Sequence, residues 1–385
     1  MHSWDLFRTL THARDSRAGE APVEDHYPIA ENIAKVQTGD IVVSEYHTSS
    51  KAREILDRVG LPDTKLIVTE TGKTDGTIWR QLKAQGYDIA KHTGDNYLAD
   101  VANPSKCGIP ATLVVQHELT NLEKACGSLG NVMREARLVT WNDNPTIRGL
   151  QLHQIERNFP FLYKVAHLLH DRMTEGGFTR LLLCARDCFN LFNLMRVLFF
   201  RERYEIEYFF NSRLTRYRPS STYSEYAKER LGGKTLVVDL NGSGNSLRYM
   251  TEMLGGTPLL VCGFGNAVPF LVTGGLRETS NLAPHAMVAD VVLDCQVGPC
   301  WSPVYTNPTN QNWQKDEIAA MTFAFDACLT CLNNYPAAAP EYTLDYALRQ
   351  MENPALQPLW ADHLADSKAA FDLLNSGPLP HKVIL

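Results

Sequence analysis

The sequence predicts an α/β protein built from two doubly wound, parallel-sheet domains and a mainly helical C-terminal region. Three observations carry this. Runs such as Lys65–Thr69 and Arg180–Cys184 are apolar almost throughout instead of alternating, as strands covered on both faces are. They alternate with segments of helical apolar spacing, the pattern of βαβ units. Turn formers cluster in Trp141-Asn142-Asp143-Asn144-Pro145-Thr146-Ile147-Arg148-Gly149-Leu150. That cluster separates a domain over residues 1–140 from one over 150–300, with 301–385 as a helical accessory region.

In the first block, Ser3-Trp4-Asp5-Leu6-Phe7-Arg8-Thr9-Leu10 sets an acid between apolar residues at the end of a first strand. Residues 40–44 are an apolar run ending in Ser44, and Lys65–Thr69 leads into a Gly-rich loop holding Lys73 and Gly76. The stretch His92-Thr93-Gly94-Asp95-Asn96-Tyr97-Leu98-Ala99-Asp100 follows as a strand that turns on Gly-Asp and reaches a second Asp. Helical spacing then covers 119–137. In the second block the periodicity predicts helices over 150–173, 189–201, 224–231 and 246–254. Strands are predicted at Arg180–Cys184, 206–210, 235–238 and 258–263.

With 385 residues there is room for two domains, and 44% hydrophobic with 21% charged residues is ordinary for a globular enzyme. A net charge of −6 argues against a nucleic-acid partner. No apolar run reaches the ~20 residues of a membrane span, and the N-terminus lacks a signal-peptide core. The expectation is a cytoplasmic protein, at most peripheral to a membrane. Nine cysteines without framework spacing fit reduced thiols. Cys328 and Cys331 share the apolar face of a helix over 317–334, which reads as packing and not as a zinc set.

Asp95 and Asp100 on one strand-to-loop turn suit a hard cation with oxygen ligands, hence Mg²⁺. Together with Asp5, Ser44 and Lys73, they would converge where open parallel sheets bind ligands, beyond the carboxyl ends of the strands. This ordered set resembles the haloacid-dehalogenase superfamily of phosphotransferases over roughly residues 1–120. The resemblance implies a Rossmann-like domain in which Asp5 is the nucleophile and Ser44 and Lys73 hold the phosphoryl oxygens. It also implies that Asp5, the Phe7 backbone carbonyl, Asp95 and Asp100 make the metal site. The usual general acid two residues after the nucleophile is replaced by Phe7, with Arg8 next. The interval from Asp5 to Ser44 is too short for a large cap domain, which points to a bulky substrate.

In the second block, the strand over 235–238 runs to Asp239. A loop Leu240-Asn241-Gly242-Ser243-Gly244-Asn245-Ser246 then enters a helix, where backbone N–H groups and the helix start can cradle an anion. It is neither a Walker loop nor a dinucleotide fingerprint. It is similar to the phosphoribosyl-pyrophosphate loop of type I phosphoribosyltransferases, with Leu240 in place of a second acid and a loop one residue shorter. The similarity implies that Ser243-Gly244-Asn245-Ser246 embrace the 5-phosphate and Asp239 the ribose hydroxyls. Ala185-Arg186-Asp187 would bind pyrophosphate, helped by Arg213, with Asn211, Ser212, Arg216 and Arg218 close by in sequence.

Both blocks together resemble two-domain enzymes of bacterial polysaccharide gene clusters that add ribofuranose to glycans. The resemblance implies transfer of 5-phosphoribose from phosphoribosyl pyrophosphate to a glycan, often lipid-linked, followed by removal of the 5-phosphate. Two alternatives stand beside it. One is a phosphatase whose second domain is only a binding or scaffold module. The other is nucleobase salvage, against which an attached phosphatase would work.

Overall fold

The structure is a computed structural model and describes residues 1–14, 20–185, 187–211, 216, 221–274, 315–336, 338–351 and 353–356. Two compact units divide at Asp143/Asn144, within the turn-rich stretch over 141–150. Each contains a five-stranded, wholly parallel sheet, so the fold is α/β as the alternation of strands and helices predicts.

The strands of the first unit are β1 (His2–Trp4), β2 (Thr11–Ala13), β3 (His26–Pro28), β4 (Ile41–Glu45), β5 (Lys65–Thr69), β6 (Lys91–Gly94) and β7 (Ala111–Leu113). The main sheet runs β5-β4-β1-β6-β7. Its order reverses at β1, and the crevice beyond the carboxyl ends of β4, β1 and β6 is where ligands bind in such sheets. Helices α1 (Ser49–Arg58) and α2 (Thr77–Ala84) cover opposite faces. Val42 packs with Trp4, Leu6, Ile55 and Leu56 on one face, while its neighbours Ile41 and Val43 pack with Ile78, Trp79 and Leu82 on the other. That two-sided burial is why β4 shows no polar alternation. Strands β2 and β3 form a separate antiparallel ribbon in the interval between Asp5 and Ser44.

Asp40 ties the start of β1 into the sheet. Its carboxylate accepts from the His2 N–H at 2.8 Å, the Gln37 N–H at 3.0 Å and the Trp4 indole at 3.2 Å. Burial pushes its pKa up, but these donors pull it below the usual value overall. Its stabilisation is therefore complete above the ordinary carboxylate range and is lost as pH falls through the lowered value. Asp40→Ala leaves three donors without their acceptor and should cost about 1–3 kcal/mol at neutral pH. Urea unfolding checks this, since an unchanged midpoint would remove the anchor.

The helical stretch expected over 119–137 is two helices, Asn121–Ala125 with a Thr120–Glu123 capping box and α3 (Leu129–Val139). Gly127, with φ +62°, breaks them apart.

The second unit carries β8 (Arg180–Cys184), β9 (Glu205–Phe209), β10 (Thr235–Gly242), β11 (Thr257–Gly263) and β12 (Phe270–Thr273), in the order β12-β11-β10-β8-β9. Here the order reverses between β8 and β10. Helix α4 (Pro145–His153) starts on the Asn144 cap and continues through a π-helical segment, Gln154–Asn158, into α5 (Phe159–Glu175). Next come α6 (Phe189–Leu198), α7 (Ser221–Leu231) and α8 (Asn245–Leu254). Helix α9 (Lys315–Leu332) packs on α4 through Met321 and Leu150, with Leu356 from the turn over Pro354–Leu356 in the same cluster. The described part of 301–385 thus belongs to the second unit; the expected boundary at 300/301 lies outside the described residues. Cys328 and Cys331 are buried in α9, as a packing role requires. No described helix is long and apolar enough to cross a membrane.

Strand β10 differs from expectation. It continues four residues past Val238 because Asn241 and Gly242 pair with Cys262 and Gly263 of β11. Asp239 through Gly242 are strand residues, not loop.

Candidate functional sites

At the sheet reversal of the first unit, three carboxylates converge. Asp5 follows β1, Asp95 follows β6, and Asp100 sits in a π-helical turn, Tyr97–Ala102. Each brings an oxygen within 4.8 Å of the others, the one such acidic or metal-ligating group among the described residues. Asn96 shapes the turn by accepting from the Leu98 and Ala99 N–H groups, and its own N–H donates to Asp100 Oδ2 at 2.9 Å. Gly94 is required for space. A Cβ there would stand 2.3 Å from Asp100 Cγ, so its value lies in admitting the carboxylate rather than in bending the chain.

Lys73, buried in the loop after β5, bridges two of the acids. Its Nζ pairs with Asp5 Oδ1 and, at 2.6 Å, with Asp100 Oδ1. Burial alone would lower its pKa; Asp5 and Asp100 reverse that and raise it, so the ammonium persists. Burial pushes Asp5 and Asp95 up, with Asp100 adding to both. Asp100 is also pushed up by burial, but Lys73 and His92 more than reverse this and hold it well below the usual range. His92 donates Nε2–H to Asp100 Oδ1 at 3.1 Å, and its Nδ1 accepts from the Ser3 hydroxyl at 2.9 Å. That tautomer follows because a carboxylate can only accept. Burial drops the His92 pKa to about 4, leaving it neutral. Three carboxylates against one ammonium leave an excess of negative charge. The half-exposed Arg8, 3.9 Å from Asp95, offsets only part of it. Hard oxygen donors with uncompensated charge fit a divalent cation.

The hydroxyl of Ser44, at the end of β4, is buried and has no hydrogen-bond partner among the described residues. Phe7, two residues after Asp5, packs its ring against Tyr46 and His26 at centroid distances of 5.1 and 5.6 Å. It has no proton to give. His92 lies inside the stretch singled out from sequence, yet its support of Asp100 has no local signal.

The second unit has its own cluster at the β8/β10 reversal. Asp239 Oδ2 pairs with Arg216 at 2.8 Å, with side chains 15% and 7% exposed. Its Oδ1 accepts from the Leu240 N–H at 2.9 Å. Arg216 also donates to Asn211 Oδ1 at 2.9 Å and to Ser246 Oγ at 3.1 Å. Asp239, expected to face ribose hydroxyls, is therefore the partner of a buried cation. The turn from β10 into α8 consists of Ser243 and Gly244 alone, with Asn245 and Ser246 in the first turn of α8. Gly244 has φ +77°, and a Cβ on it would stand 2.5 Å from Val268 Cγ2, so this turn admits only glycine. The Asn245 side chain donates to Ser243 Oγ at 3.2 Å.

Ala185 is buried after β8, its N–H donating to Phe209 O at 2.9 Å, and Asp187 precedes α6. Arg186 and Arg213, with Ser212 and Arg218, lie outside the described residues. Burial pushes the neighbouring Cys184 thiol up to about 12, so no thiolate nucleophile stands here. No protein-family model matches this chain, and no curated protein matches it.

Proposed function

We propose that this chain transfers 5-phosphoribose from phosphoribosyl pyrophosphate to a glycan acceptor and then removes the 5-phosphate. The product is a ribofuranosylated, lipid-linked glycan of a polysaccharide pathway such as O-antigen or capsule synthesis. The observation that carries this reading is the presence, on one chain, of two polar clusters, each at the reversal of its own parallel sheet. One gathers three carboxylates around a lysine, a set suited to phosphoryl chemistry, and the other ends in a glycine turn onto a helix. The first reaction leaves a phosphate ester, which the second consumes.

In the transferase step, an acceptor hydroxyl displaces pyrophosphate from C1 of the ribose. Backbone N–H groups at Ser243 and Gly244 and the start of α8 hold the 5-phosphate. Arg216 braces Asp239 and Ser246 against each other beneath this cradle. In the phosphatase step, Asp5 attacks phosphorus, the sugar alkoxide leaves, and water hydrolyses the aspartyl-phosphate. Lys73 and the Ser44 hydroxyl are the donors for the phosphoryl oxygens. A Mg²⁺ held by Asp5, Asp95, Asp100 and the Phe7 carbonyl would neutralise charge on the transferring group. Because Phe7 supplies no acid, the alkoxide takes its proton from water, and substrates with good leaving groups turn over faster than alkyl phosphates.

The Asp239–Arg216 pair favours one competing reading, a phosphatase carrying a non-catalytic binding module, because it occupies the acid that ribose would need. The test is incubation with phosphoribosyl pyrophosphate, Mg²⁺ and a synthetic glycan, following pyrophosphate, phosphate and the acceptor mass. The proposal expects both anions, a pentose on the acceptor, and loss of phosphate release on adding EDTA. Phosphate release from sugar phosphates without acceptor-dependent pyrophosphate would establish the binding-module reading instead.

A further inference from the structure

Beside the carboxylate cluster of the first unit lies a basic cavity of about 710 Å³. Arg8 joins the two, since it lines the cavity while its guanidinium approaches Asp95 to 3.9 Å. Arg8 is the one non-glycine residue with positive φ among those described, at +57°. Its N–H donates to Thr11 O at 2.6 Å, closing the tight turn into the β2–β3 ribbon. A long side chain held in the left-handed region costs energy that an ordinary turn residue, Gly or Asn, would avoid. The strain fixes where this arginine starts.

Four other elements turn cations or imidazoles into the same space. His12 comes from β2, His117 from the segment after β7, Lys124 from the short helix Asn121–Ala125, and Arg134 from α3. Arg14 also lines it but is committed to Glu135 at 3.0 Å and to Asp25 at 3.7 Å. Lys124 and Arg134 have no ion pair among the described residues. Glu118 is the single carboxylate in the lining. Arg134 Nε and His117 Nδ1 are buried without hydrogen-bond partners. Burial and the Arg134 charge drop His12 to about 3, leaving its ring neutral, and burial with Arg8 lowers His117. Clustered guanidiniums repel one another unless an anion sits among them, and an unpaired buried N–H costs free energy until it meets an acceptor.

We infer that this cavity binds a second anionic group, a carboxylate or phosphate, carried by the same substrate molecule whose phosphoryl group meets Asp5. The inference rests on the phosphatase reading and narrows its substrates to phosphate esters with an anionic remainder. Arg8 would span the two sites, and the anion would supply the acceptor that Arg134 Nε lacks.

The test compares glucose 6-phosphate, 6-phosphogluconate and glucose 1,6-bisphosphate as substrates of the full-length protein. The two doubly anionic esters should show a KM at least tenfold below that of glucose 6-phosphate; their ranking tells carboxylate from phosphate. Arg134→Gln, and independently Lys124→Gln, should raise KM for the doubly anionic esters about 10- to 100-fold, the scale of a lost charge-assisted hydrogen bond. kcat should be retained, and the preference over glucose 6-phosphate should vanish. Equal KM values for all three esters, or an equal rise for all three in both variants, would overturn the inference. Calorimetry with 6-phosphogluconate on Asp5→Asn and on Asp5→Asn/Arg134→Gln separates this from failure of the phosphatase reading. If no ester is hydrolysed, tight binding abolished by Arg134→Gln still sustains the anion site, and weak binding to both proteins rejects it.

Discussion

Asp5→Asn is expected to stop phosphate release while leaving the first unit at least as resistant to heat as the wild type. Removing a covalent nucleophile lowers kcat by on the order of 10⁴-fold or more. Stability should move the other way. Burial together with Asp100 and Asp95 disfavours a charge on Asp5, and an amide of the same shape removes that repulsion while Lys73 keeps Asp100 at 2.6 Å. Sites arranged for chemistry are commonly stabilised by disarming them. Single-turnover phosphate release and a thermal melt check both halves, and the acceptor should gain a phosphopentose and stop there. Release at the wild-type rate would discard Asp5 as nucleophile. A melting point several degrees lower would show that the Lys73–Asp5 pair outweighs the repulsion.

Asp239→Ala should be the most damaging single change in the second unit. It strands Arg216, a buried guanidinium, with the Asn211 and Ser246 oxygens as its remaining acceptors among the described residues. Breaking one side of a buried ion pair costs about 3–5 kcal/mol, whereas replacing both sides with apolar groups is often close to neutral. The double variant Arg216→Met/Asp239→Leu should therefore recover most of the denaturation midpoint that Asp239→Ala loses. Pyrophosphate release should stay absent in both. Pyrophosphate release that returns with stability in the double variant would reduce the pair to a strut and remove Asp239 from the proposed transferase site.

Much of this architecture was legible because the strands announce themselves. A strand buried on both faces, such as 41–45, has little choice but to be apolar, and polar residues at its carboxyl end then stand out. The order Asp5, Ser44, Lys73, Asp95 and Asp100 placed these side chains at neighbouring strand ends without any coordinates. What stayed hidden was set by partners distant in sequence. Asn241 and Gly242 carry poor strand propensity, and only pairing with Cys262 and Gly263 keeps β10 going past Asp239. Arg216 read as one arginine of a polar loop, and nothing local indicated that it would be buried against Asp239. Arg8, His12 and Arg134 belong to a turn, a ribbon and a helix, and a cavity lined by segments so far apart in sequence leaves no motif.

Lys73 carries one further consequence, for the order in which the molecule comes together. Many metal centres hold their fold hostage, because like charges stay apart until the ion arrives. Here the chain supplies a resident cation of its own between Asp5 and Asp100, and a proton on Asp5 can quench part of what remains. The first unit therefore has an internal source of charge balance that does not depend on a metal. A divalent ion, on the proposed reading, would join a cavity whose charge is already partly balanced, and its removal should leave the fold in place.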